Sequence, residues 1–425
     1  MELQPKTPVG VRGTVHTPIA VRTLELSQPL QPIESVESFA RVRIFGLWQG
    51  VAVCQFDLEN HFAPLSIAQL EAAVASQVWE KPTPHPPLSP EISVSIVIAT
   101  CDRPTDLSRC LTHLLLQHTS RQFDLWVVDN RPHSGLTYPV IEQIRKTHAS
   151  SDFPTLHYLA EPRRGGSFAR NAGFAACSGE MVVIVDDDVT VPPDWLERLL
   201  APLSRPEVAM VTGNLLPMSL EARSQQIFEG YCNGGLSRGF VPFEVETRWF
   251  RDRRLAVPTW ELGATANLAF RRSILDDSRV GNLDPVLSPG LPTGGGEDLY
   301  WFYRILAAGY RIVYEPQGWA WHQHRQSMRD LKTQIYSYGK GNIGYHLTTL
   351  TRHRDWRVLP TLLIFLPIYF VKRCLSWLQG TRDYPLHLTF LEIAGMLAGP
   401  WSWWRSQQVV RQILRHSTAK LQQHR

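Results

Sequence analysis

A chain of 425 residues has room for one large domain or two smaller ones, and 44% hydrophobic against 19% charged residues excludes a disordered polypeptide. A net charge of +4 is too small to argue for nucleic acid, so no nucleic-acid partner is expected. Cys54, Cys101, Cys110, Cys177, Cys232 and Cys374 form no CxxC pair, which points to reduced thiols rather than a zinc site or disulfide framework.

Residues 1–35 are polar, hold five prolines and lack periodicity, so a flexible arm is expected there. No apolar core of a secretory signal occurs in them, and cytoplasmic chemistry fits. Residues 36–80 read as a small module. Val42-Ile44-Phe45 and Val51-Val53-Phe56 flank Trp48-Gln49-Gly50 as a β-hairpin, and a short helix follows over 66–79 with Ser66 as its cap. This module carries no visible chemistry. Residues 81–91 are a stiff proline-rich linker.

Residues 92–347 alternate strand and helix signals, the mark of a mostly parallel α/β sheet flanked by helices. Strands are expected over 94–99, 125–128, 156–159, 181–185 and 208–213, with helices over 106–117, 140–148 and 168–176. Residues 263–270 read as a further strand, with Asn267 facing a ligand site or serving a turn. Residues 348–425 form a helical, basic and tryptophan-rich tail. Its apolar run Val358–Val371 is short for a bilayer crossing, which needs about 20 residues, so a peripheral anchor at the inner face of the cell membrane is expected.

The most informative stretch is Met181-Val182-Val183-Ile184-Val185 followed by Asp186-Asp187-Asp188. An uncharged β-branched run is a buried strand of a parallel sheet, and ligands of such sheets bind beyond the carboxyl ends of the strands. Three adjacent carboxylates repel unless a cation sits among them, so a divalent metal holding a phosphorylated substrate is inferred. Thr100, Asp102 and Arg103 follow one strand and Asp129 ends another, where a carboxylate can hold a ribose or base by hydrogen bonds. Arg163-Arg164-Gly165-Gly166 opens a helix that carries Arg170 and Asn171, which suits diphosphate or nucleobase contact.

Taken in order, Val94–Arg103, Val127–Asn130, Gly165–Gly173, Val185–Val189, Gly294–Leu299, Ala308–Pro316 and Trp321–Arg325 resemble glycosyltransferase family 2, enzymes of the GT-A fold that use nucleotide-diphosphate sugars. The resemblance covers the middle of the chain and leaves the first 90 and last 75 residues unexplained. It implies that Thr100, Asp102, Arg103, Asp129, Gly166, Arg170, Asn171, Asp186 and Asp187 contact the nucleotide sugar. Asp186, Asp188 and His322 would hold Mn²⁺ or Mg²⁺, with His324 as the alternative to His322. The Glu297-Asp298 pair would supply the catalytic base, Asp298 preferred. Carboxylate ligands suit these hard cations. Gly294-Gly295-Gly296 reads as a loop that closes over the donor. The processive synthases' QxxRW motif is absent, which favours a nonprocessive, inverting transferase acting on a glycan or lipid-linked acceptor hydroxyl. The competing readings are an inactive nucleotide-sugar-binding protein and another nucleotide-dependent enzyme such as a nucleotidyltransferase.

Overall fold

The structure is a computed structural model and describes residues 17–147, 154–230, 235–380 and 384–423. Its strands β1 (Ile19–Glu25), β2 (Arg41–Trp48) and β3 (Val51–Glu59) form a small sheet, covered by helix α1 (Ile67–Ala75). Ser66 caps that helix in a capping box with Gln69. The hairpin expectation holds: Gln49 and Gly50 close β2 on β3 in a two-residue turn with both φ values positive, 50° and 74°. The arm expected over 1–35 is corrected at its second half. Residues 19–25 pair in parallel with β2, and Ala20 and Leu24 pack against Val42 and Ile44. This short alternation was hidden by the prolines around it. The 81–91 segment is pinned by His85, whose Nε2 lies 2.6 Å from Glu315, and by buried Arg121, which donates to the carbonyls of Leu88, Ser89 and Ile92.

The large sheet is built from β4 (Val94–Thr100), β5 (Phe123–Asp129), β6 (Thr155–Ala160), β7 (Met181–Val185), β8 (Val189–Thr190), β9 (Val208–Pro217), β10 (Phe243–Val245), β11 (Asn267–Arg271) and β12 (Arg311–His322), in the order β10-β12-β9-β11-β7-β4-β5-β6, with β8 beside β12. It is parallel across β6-β5-β4-β7 and mixed beyond, because β11 runs antiparallel to both β7 and β9. Every residue of β7 is buried, as its uninterrupted apolar run requires. Helices α2 (Pro104–Leu115), α3 (Tyr138–Thr147), α4 (Gly166–Ala176), α5 (Trp195–Leu200), α6 (Arg223–Glu229), α7 (Thr247–Arg251) and α8 (Glu297–Ala307) complete the layers. Asn267 faces the interior: its side chain bonds Trp195 Nε1 and the carbonyls of Asn214 and Gly318, which makes it a tie between strands rather than an acceptor contact.

The C-terminal region is helical, as expected. α9 (Met328–His353) runs through the boundary placed at 347/348, and α11 (Leu386–Gln423) lies along it so closely that Gly395 approaches the Tyr336 carbonyl and Trp403 Nε1 donates to Thr348 Oγ1 at 2.9 Å. Between them α10 (Val358–Leu378) is one helix of 21 residues, longer than the apolar run alone implied, and long and apolar enough to cross a membrane. Its turns widen over Thr361–Phe365, immediately before Pro367, whose missing N–H disturbs the helical ladder. Leu363, Ile364, Phe365, Ile368 and Val371 are exposed along it.

Candidate active site

Strands β4, β7 and β12 and the start of α8 deliver their ends to one cleft of about 3680 Å³. Thr100, Arg103, Gly166, Arg170, Asp186, Asp187, Asp188, Glu297, Asp298 and His322 line it. The three adjacent aspartates meet three different environments. Asp187 accepts from Thr100 Oγ1 at 2.8 Å and from Arg103 Nη1 at 2.9 Å. Burial pushes its carboxyl up to about 6, against the pull of Arg103. Asp188 Oδ2 accepts from the same Arg103 nitrogen at 2.7 Å. Burial opposes its ionisation too, but the positive groups around it, His322 when protonated, Arg103 and Arg325, hold it below the usual carboxylate range. Burial holds His322 itself down to about 4, so at neutral pH Arg103 is the effective counter-ion. Asp186 is the most open of the three, its side chain 28% exposed against 5% and 6% for Asp187 and Asp188.

Arg170 joins the two acidic groups of the site. From α4 it donates Nη2 to Asp186 Oδ1 at 2.7 Å and Nη1 to Glu297 Oε1 at 3.0 Å, and it is buried. Glu297 and Asp298 open α8, where the helix N-terminus favours negative charge. Burial, then the charge of neighbouring Asp298, push Glu297 up to about 8. Asp298 is raised for the same first reason, burial. Its carboxylate accepts from the Leu299 amide and makes no ion pair among the described residues. The glycines before α8 are held against α9 rather than free. Gly296, with φ 102°, stands where a Cβ would lie 2.8 Å from the Gly341 carbonyl oxygen.

Among the described residues no three His, Cys, Asp or Glu side chains converge as a finished metal-ligand set. Two donors do face one another: Asp188 Oδ1 is buried without a hydrogen-bond partner, and His322 Nε2 lies 3.5 Å from it. An orphaned carboxylate oxygen beside an imidazole held neutral fits a divalent cation, with further ligands left to a diphosphate and water.

Several expected contacts stand elsewhere. Asp129 is fully engaged inside the protein, accepting from the Arg131 amide and the Tyr158 hydroxyl, and does not line the cleft. Asn171 clamps both backbone polar groups of Leu283. Asp102, left-handed at φ 56°, sits beside the cleft in an ion pair with Arg131 at 2.6 Å. Gly166 lines the cleft, but its N–H donates to the Pro289 carbonyl. His324 lies behind His322, not beside Asp188. Sequence reasoning missed Arg325, 4.0 Å from Asp188, although its place three residues after His322 was a usable signal. The cleft wall also includes Trp249 and Trp260, whereas Phe250 packs against Tyr303.

Residues 95–278 match the model of Glycosyl transferase family 2. A pre-mycofactocin glycosyltransferase of Mycobacterium tuberculosis is 29% identical over 298 residues, covering 69% of this chain and 54% of that protein. Glycosyltransferase AglE of Haloferax volcanii is 26% identical over 256 residues, 59% of this chain and 73% of its own. The chain thus spans about half the length of the mycobacterial relative. A solved mannosyltransferase from Pyrobaculum calidifontis, in complex with GDP-Man and Mn²⁺, aligns over 81% of this chain and 83% of its own with 18% identity and a TM-score of 0.46. Residues 95–278, a little under half of the chain, are thus similar to glycosyl transferase family 2.

Proposed function

We propose that the protein is an inverting, nonprocessive glycosyltransferase that moves a sugar from a nucleotide-diphosphate donor to an acceptor hydroxyl with the help of Mn²⁺ or Mg²⁺, in the synthesis of a cell-surface glycan or glycolipid. The observation that carries the reading is the shared cleft: Asp186, Asp188 and His322 stand on one side, Glu297 and Asp298 on the other, with Arg170 bonded to both acidic groups. Asp188 and His322, with the more open Asp186, would hold the cation, which when bound stabilises the charge developing on the diphosphate leaving group. Arg103 keeps Asp187 and Asp188 ionised and fixed. Arg325 adds positive charge to the same wall. Arg170 orients Glu297, leaving Asp298 as the carboxylate without an ion pair. Asp298 takes the proton of the acceptor hydroxyl as that oxygen bonds the anomeric carbon and the bond from this carbon to the diphosphate oxygen breaks. One displacement inverts the configuration. Trp249 and Trp260 offer flat faces to a sugar ring.

A thermal-shift screen against UDP-, dTDP- and GDP-sugars, with Mn²⁺ and with EDTA, tests the reading. One nucleotide class should raise the melting temperature only with the metal. Folded protein that no donor shifts under either condition counts against it.

The acceptor side of the cleft reaches Leu366, Tyr369 and Arg373 on α10, the helix whose other face is exposed and apolar. Lys372 lies on the same helix, and α11 carries Arg405 and the exposed Trp401 and Trp404. We therefore place the enzyme peripherally at an anionic membrane surface, where a lipid-linked acceptor would enter. Leu363→Asp with Val371→Asp, at positions 73% and 58% exposed, should abolish co-sedimentation with vesicles containing phosphatidylglycerol without lowering the melting temperature. Wild-type protein that ignores such vesicles in low salt excludes the membrane placement.

A further inference from the structure

The N-terminal sheet, which showed no chemistry in the sequence, reaches the acidic cluster through a line of buried polar groups. Arg43 of β2 donates to Asp57 through Nε and Nη2, and its Nη1 lies 3.6 Å from Glu229 Oε2 at the end of α6. Glu229 Oε1 is 2.9 Å from His324 Nε2. His324 Nδ1 is 2.9 Å from His322 Nδ1, and His322 Nε2 faces Asp188 Oδ1. Arg43, Glu229 and His324 are 6%, 6% and 2% exposed.

We propose that Glu229, held by Arg43, is a positioning residue that fixes His322 with its Nε2 lone pair toward Asp188, so that the N-terminal sheet supports the cation site of the catalytic centre. This rests on the reading of Asp188 and His322 as cation ligands. A carboxylate only accepts, so the hydrogen between Glu229 and His324 belongs to His324 Nε2. With that ring neutral, Nδ1 of His324 is an acceptor, and His322 Nδ1 must donate to it. His322 Nε2 is then left as a lone pair opposite the orphaned Asp188 oxygen, an arrangement that a cation completes. Arg43 supplies the charge that lets Glu229 remain a carboxylate when buried. The sheet is docked to carry this out: Phe45 and Ala52 pack with Leu216 and Trp319, and Trp319, on β12, the strand that ends in His322, donates Nε1 to the Gly50 carbonyl of the β2–β3 turn at 3.0 Å.

The test uses full-length, metal-free protein with ¹⁵N-labelled histidine, His322 being assigned by difference against His322→Ala. Long-range ¹⁵N–¹H spectra should find His322 hydrogenated on Nδ1 in the wild type and a mixture of tautomers in Glu229→Gln. Mn²⁺ binding, followed by the electron-spin signal of the free ion, should weaken about 10–100-fold in Glu229→Gln and in Arg43→Met, with Arg43→Lys recovering part of the loss. A wild-type His322 hydrogenated on Nε2 overturns the proposal without need of any variant. Mn²⁺ affinity lost in His322→Ala but unchanged in Glu229→Gln overturns the positioning role and leaves the cation reading standing. Affinity unchanged in His322→Ala overturns the cation reading, and the tautomer of His322 in Glu229→Gln then decides the hydrogen-bond relay on its own.

Discussion

Asp298→Asn is expected to lower kcat by about 10²–10⁴-fold while leaving the metal-dependent thermal shift with donor nearly unchanged. The substitution keeps volume and the acceptor oxygen for the Leu299 amide but removes the only carboxylate of the α8 pair that makes no ion pair among the described residues. Burial raises the Asp298 carboxyl above its ordinary value. A general base works only when ionised, so the rise of kcat/KM with pH should fall nearer neutrality than an exposed aspartate would place it, and activity should drop as pH falls through that limb. The residual activity of Asp298→Asn should lack the limb. Glu297→Gln is the contrasting variant: it disturbs Arg170 and so should lower stability as well as rate. Equal kcat for Asp298→Asn and wild type would reassign the base.

Arg170→Met should produce the largest loss of stability of any single change at the site, about 3–5 kcal/mol. The guanidinium is buried and bonds Asp186 and Glu297 at once. Methionine matches its length but leaves Glu297, 5% exposed, without its cation. Above about pH 8, where Glu297 ionises, it must then take up a proton or remain a buried, uncompensated charge. Adding Glu297→Gln to Arg170→Met should recover roughly half the loss, because the second change removes the stranded carboxylate. Urea unfolding of the four proteins measures this coupling. Additive losses in the double variant would mean that the ion pair contributes nothing of its own.

Much of the catalytic half was legible because buried strands and acidic ends contrast sharply in sequence. The apolar run 181–185 coincides with β7, and the acids that follow it line the cleft together with Glu297 and Asp298. The paired partners of each acid were not legible. Asp129 looks in sequence like Asp186, a carboxylate at a strand end, yet Tyr158 and the Arg131 amide occupy it, and only the packing of β5 against β6 reveals that. Asn171 points to a different face of α4 from Arg170, toward Leu283, because one residue turns a side chain by about 100°. β1 was lost among prolines, and Glu229 at the end of α6 pairs with His324 across 95 residues of sequence. Local pattern therefore located the ends of the strands, whereas the hydrogen-bond partners that fix each charge came from residues distant in sequence.

Release of nucleoside diphosphate from the stabilising donor, followed with Mn²⁺ and with EDTA in wild type and Asp188→Asn, addresses the cation-assisted transfer directly. Turnover that depends on the metal and falls by roughly 10³-fold or more in the variant, with folding intact, is the expected result. Equal turnover in EDTA, or an Asp188→Asn enzyme as fast as wild type, would contradict it.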